Sequence, residues 1–151
     1  MYLASGERAW GGEGGGGGWE ISITDKVSCG LIFDNAKIFI CRRSENKTLG
    51  GFWEFPGGKV ESNESDEECL KRELLEELEM DVDIVKHFKT VHHDYETFSI
   101  ELISFLCEYK SSAFSMNDHD EYRWVMTKDL PELELTPADI PIAKALITEG
   151  Y

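Results

Sequence analysis

The chain has 151 residues, 41% hydrophobic and 11% aromatic, which suffices for one compact domain with a sizeable core and is too short for two of ordinary size. Thirty acidic residues against 15 basic ones leave a net charge of −15, so there is no basic field to gather nucleic-acid backbone or anionic lipid, and a bound polyanion would need a divalent cation to offset the repulsion. No run of about 18 apolar residues is present to span a bilayer and the N-terminus carries no apolar signal core, which makes the cytoplasm the expected compartment.

Residues 1–20 hold eight of the 14 glycines, five of them consecutive from Gly14 to Gly18. Burial there cannot offset the entropy of ordering, so a flexible tail is expected, with the folded domain over residues 21–151. β-branched and aromatic runs at Ile21–Ile23, Val27–Phe33 and Lys37–Arg42 read as strands, the last two forming a hairpin about Asp34-Asn35. Ser65 followed by Glu68 is a capping box opening a helix from Asp66 to about Leu78. Further strands are expected at Val82–His93, Phe98–Tyr109 and Tyr122–Met126, separated by polar breaks at Asp94-Tyr95-Glu96 and Ser111–Asp118. A short turn at Lys128–Leu130 should stop at Pro131, and Thr136 before Pro137 should cap a last helix running to about Thr148. Strands, a helix, more strands and a final helix suit an α+β fold with a mixed sheet better than repeating βαβ units. Cys29, Cys41, Cys69 and Cys107 form no Cys-x-x-Cys pair and read as reduced packing residues; the four histidines show no His-Glu-x-x-His spacing that would favour zinc.

The helix from Asp66 carries the chemistry. At about 100° per residue, with Leu70 at zero, Leu74, Leu78 and Leu75 fall near 40°, 80° and 140°, an apolar face. On the same wheel Glu76, Glu73 and Glu77 fall at roughly 240°, roughly 300° and roughly 340°, a separate arc. Like charges at these offsets repel by about 0.2–0.5 kcal/mol per pair in an isolated helix. A hard divalent cation, Mg²⁺ or Mn²⁺, turns that repulsion into coordination; a solvated acidic face is the alternative that the helix alone leaves open.

Gly58, Glu64, Arg72-Glu73-Leu74, Glu76-Glu77 and Met80 stand at the spacing Gly-x5-Glu-x7-Arg-Glu-Leu-x-Glu-Glu-x-x-Met, which resembles the Nudix box of nucleoside diphosphate hydrolases. The lead-in Phe52-Trp53-Glu54-Phe55-Pro56-Gly57-Gly58-Lys59-Val60-Glu61 resembles that of MutT-like members, and the likeness extends over about Val27 to Leu146. The resemblance implies a Nudix-type α/β/α sandwich with a mixed sheet between helices, and Mg²⁺-dependent hydrolysis of a nucleoside triphosphate to monophosphate and pyrophosphate. An oxidised purine nucleotide such as 8-oxo-dGTP is the first expectation, and CTP or a modified dCTP the alternative. A non-catalytic nucleotide sensor on the same fold is the alternative of another class, against which stands the presence of all three of Glu73, Glu76 and Glu77.

The resemblance makes Glu73, Glu76, Glu77 and the Gly57 carbonyl the metal ligands, with Glu64 and Arg72 orienting them. Asp118 completes the metal site or serves as base, with Glu121 as the alternative. Arg42, Arg43 and Lys59 are phosphate candidates, Asp139 matches a base-reading position, and Trp53 and Phe55 are either a stacking wall or core. The expected partner is the nucleotide alone, with no polymeric nucleic acid and no membrane, acting on a monomer or homodimer. One departure stands out: the family's helix-ending glycine is Glu79 here, which must accept a left-handed backbone or let the helix run on.

Overall fold

Two central strands are buried on both faces through their middles, where small and apolar residues run together, and the rest of the domain is layered on them. In the computed structural model, which describes residues 24–151, these strands are β1 (Thr24–Asp34) and β6 (Ser99–Ser112). They run parallel from Thr24↔Ser99 to Phe33↔Glu108, and a strand buried on both sides needs such a continuous apolar run. The Gly-rich segment and the strand expected at Ile21–Ile23 lie outside the described residues.

Around this pair stand β2 (Lys37–Arg43), β3 (Trp53–Glu54), β4 (Gly57–Lys59), β5 (Met80–Asp94) and β7 (His119–Val125). The sheet order is β3-β2-β1-β6-β5, with β4 added against β1 and β7 against β2, and every pairing except β1–β6 is antiparallel. β1 turns into β2 through Asn35 and Ala36, both at positive φ, the geometry that suits the right-handed twist of a two-residue hairpin. The expected strands are present but β5 and β6 run past their apolar cores, because their shared ladder from Met80↔Ser112 to Asp94↔Ser99 carries polar residues along. β3 and β4, two and three residues long, are too short to show a period and were not foreseen.

Helix α1 (Asp66–Leu78) covers one face of the sheet and α2 (Ile140–Thr148) the other, giving an α/β/α sandwich. Leu70, Leu74 and Leu78 pack with Ile32, Phe39, Ile103 and Phe105, while Ile142, Ala143 and Leu146 pack with Val27, Leu31, Ile38 and Leu102. Each such buried leucine contributes about 1.5–3 kcal/mol. Leu75 departs from the apolar face assigned to it: at the far edge of that face it clears the sheet and is 61% exposed. All four cysteines are buried and free, as packing residues should be. None of the described helices is long and apolar enough to cross a membrane.

Both ends of α1 follow their local chemistry. The Glu68 backbone N–H donates to Ser65 Oγ at 3.0 Å while the Ser65 N–H donates to the Glu68 carboxylate at 2.8 Å, closing the capping box. At the other end Glu79 takes the left-handed conformation, φ 49° and ψ 45°, and the chain enters β5 at once. The start of α2 differs from expectation. Thr136 precedes a 3₁₀ turn, Pro137–Asp139, and its hydroxyl bonds the Asp139 carboxylate instead of a helix N–H, so the α-helix begins at Ile140. The turn at Thr127–Glu132 likewise runs through Pro131, since proline is tolerated where no intrahelical N–H is required.

The left-handed Glu79 is strained relative to glycine, and its side chain is exposed. Glu79→Gly should therefore raise the urea midpoint, with a gain of about 1 kcal/mol and an unchanged slope. A lower midpoint would mean that glycine's entropy cost outweighs the relief.

Candidate active site

Glycine brings the sheet and α1 into contact. A Cβ on Gly57 would stand 1.9 Å from the Ser28 carbonyl oxygen, so that position admits no side chain, and one on Gly58 would stand 2.0 Å from the Glu73 carboxyl carbon and displace that side chain. Gly57 pairs with Cys29 and Gly58 with Ser28 across the β1–β4 ladder. The Cys69 thiol donates to the Gly58 carbonyl at 3.4 Å, which ties α1 to the same turn. Glu73 is wedged there, 7% exposed, and so lies nearer the buried side of α1 than its place on the acidic arc implies.

Arg72 organises the carboxylates. Its Nε and one terminal nitrogen grip Glu64 bidentately at 3.0 and 2.8 Å; the other terminal nitrogen donates to Glu73 at 2.9 Å and to Glu76 at 3.2 Å. Only a planar fork of fixed donors can hold three carboxylates this way. The hydrogen bonds from Arg72 hold the Glu64 carboxyl down at about 2, while burial pushes Glu73 up. Glu76 stays in solvent, its side chain 59% exposed.

Glu77 does not join the Arg72 group. It faces Asp118, and burial followed by the Asp118 carboxylate pushes Glu77 up to about 7, so the pair shares one proton near neutrality. Asp118 also receives the Lys47 ammonium at 3.2 Å. The alternative Glu121 is ruled out of this group by a bulge. Arg42 pairs with Glu121 and Arg43 with His119, leaving Asp120 as the extra residue, so Glu121 turns to Arg42 and Arg123 on the other face.

Three phosphate candidates are committed elsewhere. Arg42 binds Asp120 at 2.8 Å and, with Arg123, lies over the Trp53 ring; Lys59 bridges Asp25 at 3.3 Å. Arg43 is fully buried, donating to Glu54 at 3.2 Å and to the Thr48 carbonyl. Phe55 is buried in the core, 1% exposed. Asp139 is also buried, its Oδ2 accepting from the Phe55 N–H at 3.2 Å and the Thr136 hydroxyl at 2.9 Å; burial, with Glu54 nearby, pushes its carboxyl well up.

Glu54 and His119 form a fully buried group with Arg43 beneath these residues. Burial works to raise the Glu54 carboxyl, but Arg43 and the 2.8 Å contact with His119 overturn it and hold the carboxyl at about 2. Buried charge beside an aromatic run was the signal in the sequence, since Arg43 and Glu54 sit among residues that otherwise read as strand core.

A family model described as NUDIX domain matches residues 28–145. The chain belongs to the Nudix hydrolase family. It is MutT-like within that family. An 8-oxo-dGTP diphosphatase from Proteus vulgaris is 44% identical over 81 residues, 53% of this chain and 72% of the relative. A CTP pyrophosphohydrolase from Escherichia coli K12 is 28% identical over 122 residues, 81% of this chain and 90% of the relative. The solution structure of a MutT Nudix hydrolase from methicillin-resistant Staphylococcus aureus 252 superposes with a TM-score of 0.70 at 33% identity, over 86% of this chain and 100% of that one. The Nudix box thus occupies the turn from β4 into α1, and Nudix hydrolases generally need a divalent metal.

The Glu64–Arg72 grip sets an acid dependence. A carboxyl at about 2 when folded and about 4.5 when unfolded contributes stability that is fully present above pH 4.5 and lost as pH falls toward 2. The gap in urea midpoint between the wild type and Arg72→Met should therefore shrink progressively from pH 5 to pH 2. A constant gap would show that Arg72 acts through packing instead.

Proposed function

We propose that this Nudix chain hydrolyses nucleoside triphosphates to the monophosphate and pyrophosphate, with an oxidised purine nucleotide such as 8-oxo-dGTP as its preferred substrate. The observation that carries the reading is that Glu77 feels the charge of both Asp118 and Glu73, while Glu73 itself is pressed on the side-chain-free Gly58, an acidic grouping that a polyphosphate can approach only with a cation between them. The preference is supported by the name of the 44% identical relative. CTP or a modified dCTP is the second reading, supported by the relative that matches over 81% of this chain.

The residues present fit a hard divalent cation, and Mg²⁺ is the proposed one, with Mn²⁺ able to replace it. Glu77 Oε1 is buried without a hydrogen-bond partner, and Glu73, whose charge Glu77 feels, offers carboxylate oxygens beside Gly58. Among the described residues no three ligand-type side chains converge as they stand, and Arg72 and Lys47 are paired with Glu73, Glu76 and Asp118. Glu73, Glu76, Glu77 and the Gly57 carbonyl are the proposed holders of the ion, with Asp118 completing the set. When bound, the ion supplies neutralisation of phosphoryl charge and acidifies water.

The side chains then divide the work. Arg72 keeps Glu64, Glu73 and Glu76 in register, so its loss should loosen every carboxylate at once. Asp118, beside Glu77, is proposed either to complete the ion's ligand set or to take the proton of attacking water. Asp139 is proposed to read the base edge: its two hydrogen bonds fall on Oδ2, and a carboxyl raised by burial both donates and accepts.

A panel of normal and modified nucleoside triphosphates with Mg²⁺, scored for pyrophosphate against phosphate, tests reaction and substrate together. Pyrophosphate release fastest with 8-oxo-dGTP is expected; phosphate release, or no turnover of any triphosphate, overturns the reading. Glu73→Gln and Glu77→Gln should each lower kcat by at least about 10², and near-normal turnover by either removes it from the metal site. Asp139→Asn should change the ratio of kcat/KM between purine and pyrimidine triphosphates, whereas unchanged ratios would leave Asp139 only its bonds to Phe55 and Thr136.

A further inference from the structure

The β2–β3 connection is a tight double turn. Lys47 N–H donates to the Ser44 carbonyl at 3.0 Å, Gly50 N–H to the Lys47 carbonyl at 2.9 Å, and Gly51 N–H back to the Arg43 carbonyl at 2.8 Å. A Cβ on Gly50 would lie 2.5 Å from the Glu45 carbonyl oxygen, and Leu49 and Gly51 both take positive φ. From inside the domain, the buried Arg43 holds the turn by donating to the Thr48 carbonyl. Ser44 N–H donates to the Asp118 carbonyl at 3.0 Å, so the same turn is stitched to the loop carrying Asp118.

This construction delivers one ammonium to the carboxylate pair at the end of α1. Lys47 Nζ lies 3.2 Å from Asp118 Oδ1, with the lysine side chain 29% exposed and the aspartate 17%. Of the other basic residues near the Nudix box, Arg42 is held by Asp120, Arg43 by Glu54, Lys59 by Asp25, Lys26 by Asp66 and Arg72 by Glu64 and Glu73, while Lys71 lines a groove with Leu75, Met80 and Asp81. In a chain of net charge −15 a polyphosphate needs a cation beyond the metal, and a lysine offers a point charge on a flexible stem that can change partner without moving its backbone.

We propose that Lys47 is a substrate-binding residue that competes with the divalent cation for Asp118 and, once displaced, binds the polyphosphate of the incoming nucleotide. The inference rests on the reading of Asp118 as part of the metal site. A divalent ion sharing that carboxylate repels the ammonium and removes its partner, while a triphosphate beside the ion presents new oxygens to it. Metal and nucleotide binding are thereby linked through one side chain: the ammonium weakens metal binding to the free protein and strengthens nucleotide binding to the loaded one.

The test measures Mn²⁺ binding to the full chain without nucleotide, from the paramagnetic resonance of free Mn²⁺, and separately KM and kcat for the best triphosphate of the panel. Lys47→Met should tighten Mn²⁺ binding about two- to fivefold, the range expected for removing a partly exposed ion pair, and raise KM about tenfold with a smaller change in kcat. Lys47→Arg should restore KM. Lys110→Met, which removes the same charge from a remote pair with Asp81 and Asp83, should leave both measurements unchanged. Asp118→Asn should weaken Mn²⁺ binding; wild-type affinity in that variant removes the metal-site reading and the competition with it. Weakened binding in Asp118→Asn together with unchanged Mn²⁺ affinity or unchanged KM in Lys47→Met overturns the role of Lys47 alone. Equal shifts in Lys110→Met also overturn it, by showing a general effect of net charge.

Discussion

Two adjacent glycines let a strand and a helix approach closely, and the placement of the Nudix-box carboxylates depends on that contact. With Gly57 pressed on Ser28 and Gly58 on Glu73, α1 is fixed at its first turns and its middle. Its N-terminus is set by the Ser65–Glu68 box and its C-terminus by the left-handed Glu79, so the helix has little freedom to slide. The hydrophobic face, anchored by Leu70, Leu74 and Leu78, then determines that Glu73 points into the turn and that Glu76 and Glu77 diverge, one to solvent and one toward Asp118. Packing thus chooses the direction of each charge.

The electrostatics complement this geometry. The acidic groups are held apart by cations of the chain itself: Arg72 for three carboxylates of the Nudix box, Lys47 for Asp118, and Arg43 for the fully buried Glu54. A buried pair of this kind contributes little net stability, because desolvation offsets the attraction, yet removing one member leaves an uncompensated charge. The value of such pairs here is positional. Arg43 ties β2 to β3 and to the turn that carries Lys47, and His119 ties β7 to the same carboxylate, so the two loops flanking the box share one buried anchor.

Much of this was legible in the chain. The order of strands and helices, the Ser65 capping box, the buried cysteines and the Nudix spacing from Gly58 to Met80 all rest on local signals, periodicity and punctuation, which the structure preserves. What escaped were features set by distant neighbours. β3 and β4 exist because β1 and β2 offer them edges, and no pattern within two or three residues announces that. Thr136 looked like a helix cap because its partner is Asp139, a side chain that the turn from Glu54 into Phe55 draws inward. The direction of Glu121 depends on a single bulged residue, Asp120, which shifts the alternation of side chains by one without any mark in composition. Arg42 and Lys59 read as phosphate cations because their counter-ions, Asp120 and Asp25, come from other strands.

The four thiols bear on how the molecule can be observed. Burial pushes Cys69 and Cys107 up to about 12 and Cys29 and Cys41 well above their usual value, so all four are thiols at pH 7. Alkylating reagents and peroxides attack the thiolate, which the folded domain therefore withholds. The cysteines lie on β1, β2, α1 and β6, so each labels a different element of the sandwich. The rate at which each one becomes modifiable in dilute denaturant reports the opening of its own element, and the sequence carries, without any engineered probe, a four-channel map of local unfolding.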